Sequence, residues 1–125
     1  MSKKLAKAVR ADGWDRKLED AVSVIASSGP TDEERCDVSA VCDVIAAMAG
    51  VTIKPKAADG KSFFDALGLN PINRFAARRG DVGVVFHEGR YLAGIVSSAG
   101  FVVRTPSGAS IFLITDIEQA YKIGA

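Results

Sequence analysis

The sequence contains few of the side chains that most often carry metal-dependent or nucleophilic chemistry. Its 125 residues include one histidine, His87, and two cysteines, Cys36 and Cys42. The usual structural zinc sites combine four Cys or His ligands, which three such residues cannot supply. If both cysteines lie on one helix, their spacing turns the second roughly two-thirds of a circle away from the first, which excludes a disulfide between them. Because no glycine-rich phosphate loop precedes a helix either, we predict no metal site and no cofactor.

Long apolar runs and an excess of charge of either sign are also absent. The formal net charge is +1, which gives no electrostatic signature of a nucleic acid or an anionic membrane as partner. No stretch approaches the roughly 20 apolar residues that span a bilayer, and the first residues lack the apolar segment of a secretory signal. We therefore expect no nucleic acid partner and no membrane span in a protein that is made in the cytoplasm, and that stays there or joins a larger particle.

What the sequence has is enough apolar content, 48%, to bury the core of a single domain over residues 1–125. The first half of that domain, about 1–70, has helical periodicity. Residues 15–26 form an amphipathic pattern, and residues 62–67 predict a short helix. These two helices flank a third, which lies between them.

The central helix has the clearest signals for both of its ends. Thr31 and Glu34 match a capping box and predict that the helix begins there. Gly50 is well placed to end it in a left-handed conformation. The apolar side chains between these ends recur at intervals of three or four residues, as Val38, Val41, Ile45 and Met48 do.

The second half, about 79–125, changes to strand patterning. Short β-branched or aromatic runs are separated by turn pairs that contain glycine, and they cover 81–86, 90–97, 101–105 and 109–114. Hairpins of this kind build an antiparallel meander, which we expect to curl into a small barrel. Residues 116–123 fit either a helical turn or an edge strand. The predicted fold is α+β, with N-terminal helices packed on a small antiparallel β-meander or barrel.

Three short motifs occur in a recognisable order along this pattern. The central helix ends in Ala46 to Gly50, Gly80-Asp81 opens the first long strand, and Gly94-Ile95 lies in the second. This order resembles the NlpC-type branch of the papain-like cysteine peptidases, and more closely a small subfamily of phage tail proteins derived from that branch. The resemblance covers about residues 14–124. It implies a papain-like core, a place in the virion at the distal end of a phage tail, and other tail proteins (hub, distal tail or tape-measure components) as partners.

The resemblance also assigns the catalytic positions, and the residues found there do not match the chemistry. When the chain is aligned on Gly50 and on the apolar rows of the helix, the nucleophile position falls on Asp37. The position of the general base, two residues before Gly94, falls on Leu92, and the third, orienting position falls near Arg104 or Thr105. A cysteine peptidase needs a thiolate and an imidazole within hydrogen-bond reach, which an aspartate and a leucine cannot supply. The resemblance therefore implies a fold without its catalytic cysteine and histidine, and not an enzyme.

Cys36 and His87 are the remaining pair from which a peptidase could be built. Cys36 lies one residue from the nucleophile position, and the N-terminus of a helix favours a thiolate. Moving the register by one residue, however, would rotate the helix by about 100° and place polar side chains such as Asp43 where apolar ones belong. His87 ends its strand beside a predicted turn, so we expect it at a hairpin tip, away from the start of the central helix.

Three hypotheses about function follow from these residues. The first is a non-enzymatic structural or assembly protein of a tailed-phage tail tip, made in the host cytoplasm and carried in the virion. The second is an active peptidoglycan peptidase or amidase that uses Cys36 and His87. The third is a small cytoplasmic binding or regulatory module, because a fold alone does not fix a function. The sequence leaves open the copy number, the symmetry, the surface that binds partners and the role of the basic N-terminus.

Overall fold

The computed structural model describes residues 12–31, 35–54 and 59–123. Three α-helices come first: α1 is Trp14–Ala26, α2 is Cys36–Ala49 and α3 is Gly60–Ala66. None of the helices in these ranges is long and apolar enough to cross a lipid bilayer. The strands that follow are β1 (Pro71–Ile72), β2 (Val82–His87), β3 (Arg90–Ser97), β4 (Gly100–Thr105), β5 (Gly108–Phe112) and β6 (Ile117–Tyr121). They form one antiparallel sheet in the order β1-β6-β2-β3-β4-β5, so the predicted α+β class, with N-terminal helices over a β-meander, is confirmed.

Helix α2 is the centre of the helical layer. The apolar side chains predicted for it, from Val38 to Met48, are all buried. The helix ends as expected at Gly50, whose φ of 69° is left-handed and whose N–H donates to the Ala46 carbonyl at 3.0 Å. Burial on nearly every side explains why this helix carries apolar residues around most of its circumference.

The start of α2 differs from the prediction. The helix begins at Cys36, and its N-cap is Arg35, with a left-handed φ of 59°, instead of Thr31. The N–H of Thr31 donates to the Pro106 carbonyl at 2.8 Å, because the chain before the helix runs along the turn between β4 and β5. Glu34, the other half of the predicted capping box, lies outside the described residues.

The sheet has an apolar core on each of its faces, as the two-residue alternation of strand side chains allows. One face packs under the helices and contributes Val82, Val84, Ala93, Ile95, Val102 and Tyr121. The other face curls over a second cluster that includes Val85, Leu92, Val96, Phe101, Val103 and Ile117, against which Phe112 packs. The expected barrel is not closed, because β1 and β5 remain at opposite edges of the sheet.

The C-terminal segment combines features that the sequence left as alternatives. Ile114–Asp116 form one turn of 3₁₀ helix, and β6 follows it directly. This strand does not lie at an edge, because the two residues of β1 pair with its outer side while β2 pairs with its inner side. The short strand β1, which was not predicted, therefore makes β6 an interior strand.

Gly60, Gly83 and Gly94 lie where the backbone is approached too closely for any side chain, and two of them position α3 and the second core. A Cβ at Gly94 would lie 2.6 Å from the Phe101 ring and 2.8 Å from the Val102 carbonyl oxygen. A Cβ at Gly60, the first residue of α3, would lie 2.7 Å from the backbone nitrogen of Ala93. Gly94 thus allows the second core to close, and Gly60 allows α3 to rest directly on β3.

We predict that Gly94→Ala lowers the free energy of unfolding by about 1–3 kcal/mol, the usual cost of forcing an extra carbon into a packed core. The matched control is Gly29→Ala, because a Cβ at Gly29 would meet nothing within 4 Å. Urea unfolding of the two variants, followed by circular dichroism, measures the difference. Equal stabilities for the two variants would contradict the packing described for Gly94.

Candidate functional site

A cleft of about 840 Å³ opens where the start of α2, the β2–β3 hairpin and the β4–β5 turn meet. The six residues singled out as catalytic or alternative catalytic positions all line it: Cys36, Asp37, His87, Leu92, Arg104 and Thr105. We expected His87 to lie away from the start of α2, but the structure places it in the wall of the same cleft. It lies there because the curled sheet brings the end of β2 towards β5, so that the His87 ring contacts the Phe112 ring at 5.6 Å between centroids.

Asp37 holds a buried carboxylate at the first turn of α2. The residue is 2% exposed, and its Oδ2 accepts a hydrogen bond from the Ala93 N–H at 2.7 Å. The same oxygen accepts from Nη2 of Arg35 at 3.0 Å. A buried charge needs both a counter-ion and hydrogen bonds to be tolerated, and Asp37 has both.

Arg35 is the counter-ion, and its own coordination is incomplete. Its side chain is 10% exposed, and Nη2, besides contacting Asp37, donates to the Tyr91 carbonyl at 3.4 Å. Its Nε is buried and has no hydrogen-bond partner among the described residues. A buried donor without an acceptor costs about 1–3 kcal/mol, so this conformation of Arg35 lowers the free energy of unfolding.

The ladder between β3 and β4 stops at this point of the cleft. The pairing runs from Ser97 with Gly100 to Ile95 with Val102, and the same register carried two residues further would place Ala93 opposite Arg104. Instead, the Ala93 N–H is bound by Asp37, and the Arg104 carbonyl accepts from the Cys36 thiol at 3.6 Å. We call Cys36 and Asp37 the capping pair, because their side chains satisfy backbone groups where the two strands part.

The geometry of Cys36 and His87 bears on the peptidase hypothesis. Cys36 is buried, at 7% exposure, and its thiol donates to a carbonyl, which is a role of the protonated form and not of a nucleophilic thiolate. His87 has a half-exposed side chain whose Nε2 lies 3.7 Å from a carboxylate oxygen of Glu88. The Cys36 thiol therefore donates its hydrogen bond to the backbone carbonyl of Arg104 and not to the imidazole of His87.

Leu92 and Arg104, the other two positions aligned with catalytic ones, have structural contacts. Leu92 is buried in the second core and offers no atom that could accept a proton. The Arg104 guanidinium donates to the carbonyls of Gly29 and Thr105, which ties the loop after α1 to the end of β4. Neither side chain can act as a general base or orient one.

Cys42 lies in the interior of the domain. It is 4% exposed on α2, and burial, followed by the neighbouring charge of Asp43, raises the pKa of its thiol to about 12. Neither cysteine forms a disulfide bond, and Asp43 is exposed whereas Asp37 is buried. Within the described ranges, no three His, Cys, Asp or Glu side chains are grouped so that they could hold a metal ion.

The fold and cleft define an α+β domain whose curled, open sheet carries at one end a cleft lined by three arginines and two acids. The model of one family matches residues 53–123, more than half of the chain, and the chain therefore belongs to that family, DUF6950, a domain of unknown function. The matched range includes His87, Leu92 and Arg104 and begins after the capping pair. No curated protein matches the chain. The resemblance to NlpC-type peptidases and phage tail proteins stays a prediction.

Two members of the site were not found from the sequence. Arg35 gives no periodic signal, because it lies just before the helix in a left-handed conformation. Ala93 takes part through its backbone N–H alone. The one signal that could have pointed to Arg35 is its position two residues before Asp37, a charge that the apolar rows of the helix place near the core.

We predict that Asp37→Ala lowers the free energy of unfolding by about 3–5 kcal/mol, because it leaves the buried Arg35 without its counter-ion. Asp37→Asn should cost less, since an amide oxygen can still accept from the Ala93 N–H. The matched control is Asp43→Ala on the exposed side of the same helix, where we expect a change within about 0.5 kcal/mol. Urea unfolding at neutral pH measures all three, and similar losses for Asp37→Ala and Asp43→Ala would contradict the role given to Asp37.

We also predict that the Cys42 thiol does not react with a thiol-directed reagent in the folded protein at neutral pH. The reason is that the thiolate is the reactive form, and a pKa of about 12 leaves almost none of it. Cys36→Ser, which keeps a hydroxyl donor for the Arg104 carbonyl, makes Cys42 the sole thiol for the assay. Labelling in denaturant sets the full signal, and rapid labelling of the folded variant would show that Cys42 is not buried as described.

Proposed function

We propose that this protein is a non-enzymatic structural and assembly protein of a tailed-phage tail tip, built on a hydrolase fold that has lost its catalytic residues. The proposal rests on the contacts that the Asp37 side chain makes. The residue aligned with the nucleophile binds Arg35 and the Ala93 N–H, so it holds the fold together at the place where a peptidase would hold its thiol. The place in a phage tail comes from the resemblance alone, and so do the expected partners, which are hub, distal tail or tape-measure components.

The surface has features that suit assembly. Strand β5 lies at one edge of the sheet, where its outer backbone groups can pair with a strand from a partner. Ile111 within this strand and Leu113 just after it are 61% and 71% exposed. Exposed apolar side chains beside a sheet edge are typical of a contact surface between proteins. Together they favour a protein that works through its surface.

A peptidoglycan peptidase or amidase that uses Cys36 and His87 is the second candidate, because both residues line one cleft. Against it stand the burial of Cys36 and the donation of its thiol proton to the Arg104 carbonyl. A working site would need that thiol to turn towards an imidazole and lose its proton to it. The capping role of Cys36 at the end of the β3–β4 ladder opposes such a movement.

The assembly proposal predicts that the chain is found in purified virions of the phage that encodes it, in a fixed ratio to other tail proteins. Mass spectrometry of the particles measures this. Leu113→Glu should reduce incorporation, because it places a charge at the apolar end of β5, while Val24→Glu, at an equally exposed apolar residue of α1, serves as the matched control. Normal tails assembled in the complete absence of the chain would refute the proposal.

The non-enzymatic part of the proposal has its own test. The purified chain should not clear peptidoglycan in a zymogram, and Cys36→Ala should give the same blank result. An active cell-wall peptidase run on the same gel provides the positive control. Clearing by the unmodified chain that disappears in Cys36→Ala would replace the assembly protein with the peptidase.

A further inference from the structure

Some charged side chains that line the cleft have partners among the described residues, and one does not. Asp37 is neutralised by Arg35, and the Arg104 guanidinium is used by two backbone carbonyls. Arg90, an exposed residue at the start of β3, makes no ion pair with any residue in the described part of the chain. The remaining acid, Glu88, has a side chain that is 83% exposed and lies beside His87. Arg90 therefore adds to the wall that it forms with Arg35 a positive charge that no described residue pairs with.

Arg35 and Arg90 are neighbours on that wall. Arg35 Nη2 contacts the carbonyl of Tyr91, the residue that follows Arg90 on β3. His87 is paired with Arg90 across the β2–β3 hairpin and adds a further positive charge when it is protonated. One guanidinium is fixed by burial and the other is free to adjust, and both border a cavity large enough for a small ligand group.

We propose that this cleft is a binding site for a carboxylate group, held by Arg90 and by the incompletely coordinated guanidinium of Arg35. A planar guanidinium matches a carboxylate through parallel N–H bonds, which are stronger than bonds between neutral groups. Arg35 contacts Asp37 and the Tyr91 carbonyl through Nη2, and its Nε has no acceptor among the described residues, so the guanidinium keeps N–H donors that the described protein does not use.

The carboxylate could come from a peptide or from a small organic acid, and both present the same chemistry to the two arginines. Ser107 and Ser110 also line the cleft, and their hydroxyls would give a longer ligand further hydrogen-bond partners. The inference does not depend on the tail-tip function, because it rests on the charges of the cleft and would hold for a regulatory module equally.

The test is a titration of the full chain, followed by heteronuclear NMR at low ionic strength, where screening is weakest. The probes are acetate, an N-acetylated tri-alanine with a free C-terminus, the same peptide amidated, and inorganic phosphate. We expect saturable shifts of the Arg90, Tyr91 and Ala93 amides with the free-acid peptide and none with the amidated one. Binding of acetate but not of the free-acid peptide would assign the site to small organic acids. Tighter binding of phosphate than of both carboxylates, or no saturable shift with any probe, would overturn the proposal.

Variants locate the site on the wall described. Arg90→Gln should weaken carboxylate binding about fivefold, the loss expected for one partly exposed ion pair. Arg16→Gln, at an exposed arginine on α1, is the matched control and should bind as the unmodified chain does. Arg35→Gln should abolish binding if thermal unfolding shows that it folds, and Arg90→Gln decides the matter if it does not. Unchanged affinity in Arg90→Gln would show that the carboxylate does not bind here.

Discussion

The structure depends on the hydrogen bond between the Asp37 carboxylate and the Ala93 N–H. This contact joins the first turn of α2 to the middle of β3, at the place where β3 and β4 part. Without it, a backbone donor in the interior would have no acceptor, and the charge of Arg35 would have no counter-ion. Because α3 also rests on Ala93 through the close approach of Gly60, one residue of β3 is a meeting point for two helices. The cleft exists because the strands part there.

The parts of the fold that follow from local chemistry could be predicted from the sequence. The apolar rows of α2 and the left-handed end at Gly50 are properties of the helix itself, and the hairpins follow from their turn residues. What could not be predicted depends on contacts between distant segments. Thr31 lies four residues before the N-cap of α2 and donates its N–H to the Pro106 carbonyl, and β6 is an interior strand because β1 pairs with it from outside. The periodicity within one segment of the sequence gives no information about such contacts between distant segments.

The candidate site divides in the same way. The resemblance predicts that Asp37, Leu92 and Arg104 stand at catalytic positions, and these residues line one cleft together with Cys36 and His87. The sequence could not reveal what their side chains contact. The Cys36 thiol is directed at a carbonyl that comes near it only because the β3–β4 ladder ends, and Arg35 enters the site because its left-handed backbone turns it towards Asp37. The sequence thus pointed to residues that line one cleft, but not to the atoms that their side chains contact.

The capping pair has a consequence for how such a domain can change over evolutionary time. If position 37 once carried a thiol, restoring it by a single codon change would strip Arg35 of its partner and leave the amide of Ala93 without an acceptor. A thiol at position 37 would thus require either an intermediate that folds poorly or simultaneous changes at several positions. Substitutions at the rim of the cleft and at the outer edges of the sheet are therefore easier to accommodate, because they leave these buried contacts unchanged.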